Sequence, residues 1–356
     1  MRISSLEALL KKKYCLLTSN CSTAIYILLK SLGLKKKVII IPANICYDVV
    51  LSILFSENIP YPLEIDKNLN LSFKELKKKQ QRLKNIGAVI LPLMYGNIPE
   101  LIKIKRLCEK KNIHLIEDVA PALGATINKY YAGSFTDYSV CSFGQGKIID
   151  RGAGGSLNIN CCNLYIEAKK QYSKLYRRNT KSEFLYKSVN SLYNSIINKN
   201  KSKFFFEKKK LFKFKRAIIN KRNFSSAFLN RINSDVKKIN IINKTRNEKA
   251  KIFKANLTSR YLFSIDHKKG GVYWRKNFFV KKSRDKLIKF LISNNIYARK
   301  YYPSLNNVFP FIKKKYSLAE NNEKKIINFW VGKESNLKNI KETAHLIKKF
   351  YREDVN

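Results

Sequence analysis

Two hydrophobic periods alternate along the first 160 residues, and this constrains the fold more than any other feature of the chain. Short apolar runs rich in β-branched residues ("KVIII", "GAVILPL", "IHLIED") are separated by stretches with helical spacing ("STAIYILLKSLG", "FKELKKKQQRLK", "ELIKIKRLCEKK"). A continuous apolar run reads as a strand buried on both faces, and a return to a parallel neighbour requires a crossover helix. The pattern therefore predicts βαβ units and a three-layer α/β/α domain built on a largely parallel sheet.

Beyond Tyr130 the strands shorten ("YYAGSFTDYSVCSFG", "GGSLNIN"), and residues 164–255 become basic and helical. From residue 256 the chain reads strand–helix–strand and closes on the amphipathic "NLKNIKETAHLIKKFYRE". At 356 residues the chain exceeds what one core usually supports. We expect a large domain over residues 1–250 and a smaller α+β domain over 251–356.

The formal charge of +47 would ordinarily suggest a polyanionic partner. Its carriers are mostly lysines, spread along the whole chain beside abundant Ile and Asn, and no nucleic-acid motif accompanies them. A specific nucleic-acid role is therefore not expected. The segment "KSKFFFEKKKLFKFKRAIINKR", residues 201–222, reads as a solvated helix or loop with Phe packed inward; contact with an anionic membrane surface is the sharper alternative. Seven scattered cysteines lack metal spacing and scaffold density. No signal-peptide pattern opens the sequence, and the most apolar run, "VIIIPANICYDVVLSILF", is interrupted by Pro42, Asn44 and Asp48. These features predict a soluble, cytoplasmic protein.

Three motifs carry chemistry. In "LTSNCSTAIYILL", Ser19–Thr23 precede a helix whose free N–H groups and dipole attract an anion, although an ordinary N-cap would look the same. In "HLIEDVAPALGA", Asp118 ends a buried strand, where open α/β sheets place ligands, and Glu117 faces the other side. In "CSFGQGKIIDRGAGG", Lys147 is flanked by glycines that a solvated lysine does not need, five residues after Ser142. An anion cup, a buried carboxylate and a glycine-flanked lysine together suit pyridoxal 5′-phosphate: phosphate on the helix, Asp on the ring nitrogen, Lys on the aldehyde.

The block "IEDVAPALGATINKYYAGSFTDYSVCSFGQGKIIDRGAGG" resembles the DegT/DnrJ (StrS-like) sugar aminotransferases, and the likeness extends from about Leu6 to Tyr351. The resemblance implies an aspartate-aminotransferase-type fold with a smaller C-terminal domain. It also implies a homodimer with shared active sites and transfer of an amino group from glutamate, or a similar donor, to a nucleotide-linked keto sugar for cell-surface polysaccharide. By the same resemblance Lys147 is the cofactor lysine, Asp118 the ring-nitrogen carboxylate and Ser142 a phosphate ligand. The phosphate turn falls on Asn20, Cys21, Ser22 and Thr23, and the ring-stacking aromatic on Cys46 or its neighbour Tyr47, of which Tyr47 is taken. Arg299 and Tyr302 fall near the substrate, and Asn223 where a partner subunit reaches the phosphate.

The chain departs from the family in three places. Pro121 stands where the family has Gln or His and cannot donate a hydrogen bond; Cys21 replaces a glycine; and family members carry further residues before "LEALLKKKYCLLTSN". Two other readings stay open: a degenerate member that binds cofactor or sugar nucleotide without turnover, and a basic protein that binds anionic surfaces.

Overall fold

A computed structural model of the chain describes residues 2–197, 208–257, 260–333 and 335–353. Its strands, in chain order, are β1 (Tyr14–Thr18), β2 (Val38–Pro42), β3 (Ile59–Leu63), β4 (Ile86–Pro92), β5 (His114–Asp118), β6 (Thr126–Ile127), β7 (Tyr130–Tyr131), β8 (Tyr138–Ser142), β9 (Gly155–Ile159), β10 (Leu262–Ile265), β11 (Arg275–Val280), β12 (Ala298–Arg299) and β13 (Ile326–Trp330). Seven of them form the main sheet in the order β1-β9-β8-β5-β4-β2-β3. Strands β3, β2, β4, β5 and β8 run parallel, and β9 lies antiparallel between β8 and β1.

The layers follow from side-chain alternation within strands. On β2, Ile39 and Ile41 join one apolar cluster, with α2 (Cys21–Ser31) and α3 (Tyr47–Phe55), while Ile40 joins another with Leu76, Leu101 and Ile104. On β4, Ala88 and Ile90 face the first cluster and Val89 and Leu91 the second. A period of two in a strand buried on both faces demands cover on both sides, which the crossover helices provide. The sequence-predicted three-layer arrangement is the one observed. No helix among the described residues is long and apolar enough to cross a membrane.

The C-terminal sheet, in the order β10-β11-β13-β12, is antiparallel throughout. Its apolar side packs against the helices Arg284–Ser293 and Leu337–Glu353. The helix Ile239–Leu257 spans the expected domain boundary: Ile239 packs with Leu123 and Ile232, and Phe253 and Leu257 with the C-terminal sheet. Within the basic stretch, residues 201–207 lie outside the described residues. The rest forms short helical turns whose Leu211, Phe214 and Ile218 are buried while Phe212 is exposed.

Candidate active site

The C-terminal ends of the parallel strands form one rim. Asp118 closes β5, Ser142 closes β8, and Gly155 opens β9 at the same edge, in register with both Ser142 and Thr18. This register brings the turn before α2 beside Ser142. A Cβ on Gly155 would stand 2.4 Å from both Asn20 C and Cys21 N, so the strand touches the turn backbone directly and only glycine fits. Asn20 caps α2 by accepting from Thr23 N at 2.7 Å, and Nδ2 of Asn20 donates to Ile218 O at 3.0 Å. Ser19 Oγ donates to Asn220 O, and Thr23 Oγ1 accepts from Asn220 N at 3.4 Å. The segment at 218–220 is thus bonded onto the α2 turn. Among the described residues, the N–H groups of Cys21 and Ser22 and the Ser22 hydroxyl remain available to an anion.

Asp118 is almost wholly buried, and its Oδ1 accepts from Ala120 N at 2.9 Å. Burial raises its pKa, and the Ala120 N–H and the charge of Lys147 hold the rise back. Burial also pushes Cys21 well above the ordinary thiol range and Cys46 to about 12, with Lys147 pulling both down and Asp118 pushing both up. The carboxylate, the α2 turn and the start of α3 therefore all lie within reach of the Lys147 charge. Asp48 lies within that reach too: Oδ1 is buried without a partner, and burial raises the carboxyl to about 6 against the pull of Lys147, Tyr186 and Tyr47. Glu117 points away, accepting from the N–H groups of Gly133, Phe135 and Thr136 at 2.6, 2.8 and 2.9 Å. That spread of donors fixes the loop between β7 and β8.

The glycines around Lys147 have a physical reason. Gly146 has φ +79°, its N–H meets Asp150 Oδ2 at 2.6 Å, and its carbonyl accepts from Trp274 Nε1 at 2.6 Å. A side chain there would meet the Trp330 ring at 3.2 Å. The lysine ammonium lies 5.5 Å from the Trp274 ring. Trp274 stacks on Tyr302 with centroids 5.7 Å apart, and Tyr95 Oη accepts from Tyr302 N at 2.9 Å while donating to Tyr301 O at 3.0 Å. Arg246 holds the strand entry through the Tyr273 and Trp274 carbonyls at 2.9 and 2.6 Å. The C-terminal sheet thereby supplies an aromatic wall over the lysine.

Of the sequence-predicted residues, Lys147, Asp118, Ser142, Cys21 and Ser22 meet at this rim, and Tyr302 belongs to the wall. Tyr47 turns its ring onto Tyr193 of α7 (Thr180–Ile197), centroids 4.1 Å apart, and donates to Asn190 Oδ1. Its neighbour Cys46 is the residue exposed to the Lys147 and Asp118 charges. Asn223 is exposed, in a depression lined by Arg177, Arg178 and Arg222; three residues earlier, Asn220 is the asparagine at the α2 turn. Arg299 is exposed, 4.6 Å from the Tyr297 ring. Sequence reasoning did not select Tyr95, Trp274, Arg275 or Trp330. The adjacent cations in "VYWRKNFFV", set inside an apolar strand beside a tryptophan, were the available signal.

Comparison with known proteins converges on one family. A family model described as the DegT/DnrJ/EryC1/StrS aminotransferase family matches residues 4–342. GDP-perosamine synthase of Vibrio cholerae is 30% identical over 153 residues, 42% of this chain and 41% of that protein. A UDP-4-amino-4,6-dideoxy-N-acetyl-beta-L-altrosamine transaminase of Campylobacter jejuni is 28% identical over 44% of this chain and 42% of that protein. The chain thus spans about two fifths of the length of the curated relatives it matches. In fold it superposes on Helicobacter pylori PseC, an aminotransferase involved in the biosynthesis of pseudoaminic acid (TM-score 0.77, 16% identity, 99% of this chain and 90% of that one). DesV of S. venezuelae gives a TM-score of 0.76 at 14% identity, over 98% of this chain and 87% of that one.

Proposed function

The chain belongs to the DegT/DnrJ/EryC1/StrS aminotransferase family, and on that premise we propose that it is a pyridoxal-phosphate-dependent aminotransferase acting on a nucleotide-linked keto sugar. The observation that carries this reading is that a carboxylate, Asp118, is buried at the sheet edge within reach of the Lys147 charge, beside the α2 turn. Its relatives GDP-perosamine synthase and the altrosamine transaminase are named for nucleotide sugars, which supports that acceptor class. Glutamate as donor, a homodimer, a cytoplasmic location and division into residues 1–250 and 251–356 belong to the same proposal.

The residues fit the group. Asp118 Oδ2 makes no hydrogen bond among the described residues and sits where a protonated ring nitrogen would satisfy it. The Cys21 and Ser22 N–H groups, the Ser22 hydroxyl and Ser142 Oγ suit a phosphate at the positive end of α2. When bound, the cofactor supplies an electron sink for the carbon that loses its proton. Asp118 holds a proton on the ring nitrogen, and its burial strengthens that attraction. Lys147 Nζ takes up a proton and returns it one carbon away. The Trp274–Tyr302 wall keeps water from both. Tyr302, on the wall, and the exposed Arg299 would meet the sugar acceptor. Asn223, exposed beside Arg222, would reach the phosphate in the site of a partner subunit.

An absorbance spectrum of the purified protein with and without added pyridoxal phosphate, followed by L-glutamate, tests the proposal. A visible band that glutamate converts to a shorter-wavelength one is expected. A band that forms and does not respond identifies a cofactor-binding protein without turnover, and no band at all removes the enzymatic reading.

A further inference from the structure

We propose that Arg275 anchors the α-carboxylate of the amino-acid donor, beside Lys147; this specifies the donor subsite of the aminotransferase reading and rests on it. Arg275 opens β11, opposite Trp330 of β13, and is only 4% exposed. Its guanidinium lies 4.6 Å from the Trp274 ring and 4.6 Å from the Trp330 ring, with Tyr301 and Tyr297 at 5.4 and 5.5 Å. Yet Nε and Nη1 are buried without any hydrogen-bond partner among the described residues. Among the described residues no carboxylate approaches Arg275 within ion-pair distance. Nη2 stands 3.6 Å from the point a Cβ on Gly146 would occupy, one residue before Lys147.

Aromatic faces and in-plane donors serve different needs. The two indole rings attract the cation and offset part of its desolvation, but a hydrogen bond to guanidinium forms in its plane. Buried N–H donors of a charged group left without acceptors are expensive, and they persist at sites built to receive a ligand. The acceptor that satisfies a planar fork is a planar oxyanion, bound bidentately. Position selects which one. A group held by Arg275 lies beside Gly146, and the guanidinium and the Lys147 ammonium both approach the Trp274 ring, at 4.6 and 5.5 Å. An amino acid's α-carboxylate is attached to the very carbon being deprotonated, whereas a sugar nucleotide's diphosphate is a ring away from its carbonyl carbon. The geometry therefore fits the donor.

The test compares L-glutamate with its α-carboxamide, L-isoglutamine, in the absorbance change of the pyridoxal-phosphate-loaded full-length protein. The wild-type chain should favour glutamate strongly. In Arg275→Met, KM for glutamate should rise about 30-fold or more while the preference over isoglutamine collapses. The cofactor band should persist, and the reverse reaction from an amino-sugar nucleotide should weaken far less than the glutamate reaction. Arg275→Lys, which keeps the charge without the fork, should fall between the two and decides the matter if the Met variant does not fold. An unchanged glutamate KM, or a rise confined to the sugar nucleotide, overturns the assignment while leaving the aminotransferase reading intact. A wild-type protein with no glutamate response fails that reading instead, and this proposal with it.

Discussion

The two walls of the site are built on opposite terms. On the sheet side the turn and the strand end are braced from within: Asp118 accepts from Ala120, Asn20 caps α2, and Thr23 is bonded to the 218–220 segment, while Asp48 Oδ1 lacks a partner among the described residues. On the side of the C-terminal sheet, the cation Arg275 is buried among rings with two donors unmet. The sheet edge is a settled frame that a cofactor completes with few demands. The aromatic wall holds an unsatisfied group that a ligand relieves. On the proposed reading, the difference locates binding energy in backbone geometry for the cofactor and in side-chain charge for the substrate.

Substitutions on each wall sharpen or break that contrast. The largest effect belongs to Lys147→Ala, which should lower amino transfer by about 10³-fold or more and abolish covalent cofactor attachment, read by turnover and by spectrum. Asp118→Asn keeps the shape and removes the charge; turnover should fall by roughly 10²-fold or more, with cofactor still retained on the α2 turn. On the opposite wall, Trp274→Leu leaves the Gly146 carbonyl without its donor and opens a void. We expect a loss of about 2–4 kcal/mol in denaturant unfolding, together with weaker glutamate binding.

Gly155→Ala forces a methyl against the Asn20–Cys21 backbone, and should cost about 1–3 kcal/mol and weaken phosphate affinity while leaving the aromatic wall intact. If cofactor affinity were unaffected, β9 would not be what positions the α2 turn. The smallest effect concerns pH. Burial raises Asp48 from 3.8 to about 6, so the folded chain holds a proton that the unfolded chain has released. Its contribution to stability is present below about pH 4 and lost as pH rises through about 6. Asp48→Asn should flatten that part of the melting-temperature profile of cofactor-free protein. An identical slope in the variant would show that Asp48 does not titrate there.

The sheet-side wall was legible because its signals are local. Continuous β-branched runs, a glycine-flanked lysine and a carboxylate at a strand end each lie within one short stretch, and strand alternation separates Asp118 from Glu117 without any tertiary knowledge. The aromatic wall assembles from residues far apart in the chain: Tyr95 follows β4, Trp274 and Arg275 lie at the start of β11, Trp330 ends its neighbour strand. Only cross-strand register puts Arg275 opposite Trp330. The Cys46–Tyr47 choice shows the same limit. Helix spacing leaves both near the start of α3, and packing against Tyr193 determines which ring is turned away. Likewise, backbone bonding to the α2 turn, unreadable from spacing, brings Asn220 to that turn and leaves Asn223 on the surface.

On the proposed reading, Lys147 differs from every other lysine in a chain with 72 Lys and Arg residues. Borohydride reduction of the full-length protein with stoichiometric pyridoxal phosphate, followed by peptide mapping, measures this directly. The account predicts a single dominant label on the peptide carrying Lys147, absent from Lys147→Ala. Label scattered over surface lysines, unchanged by that substitution, would contradict it.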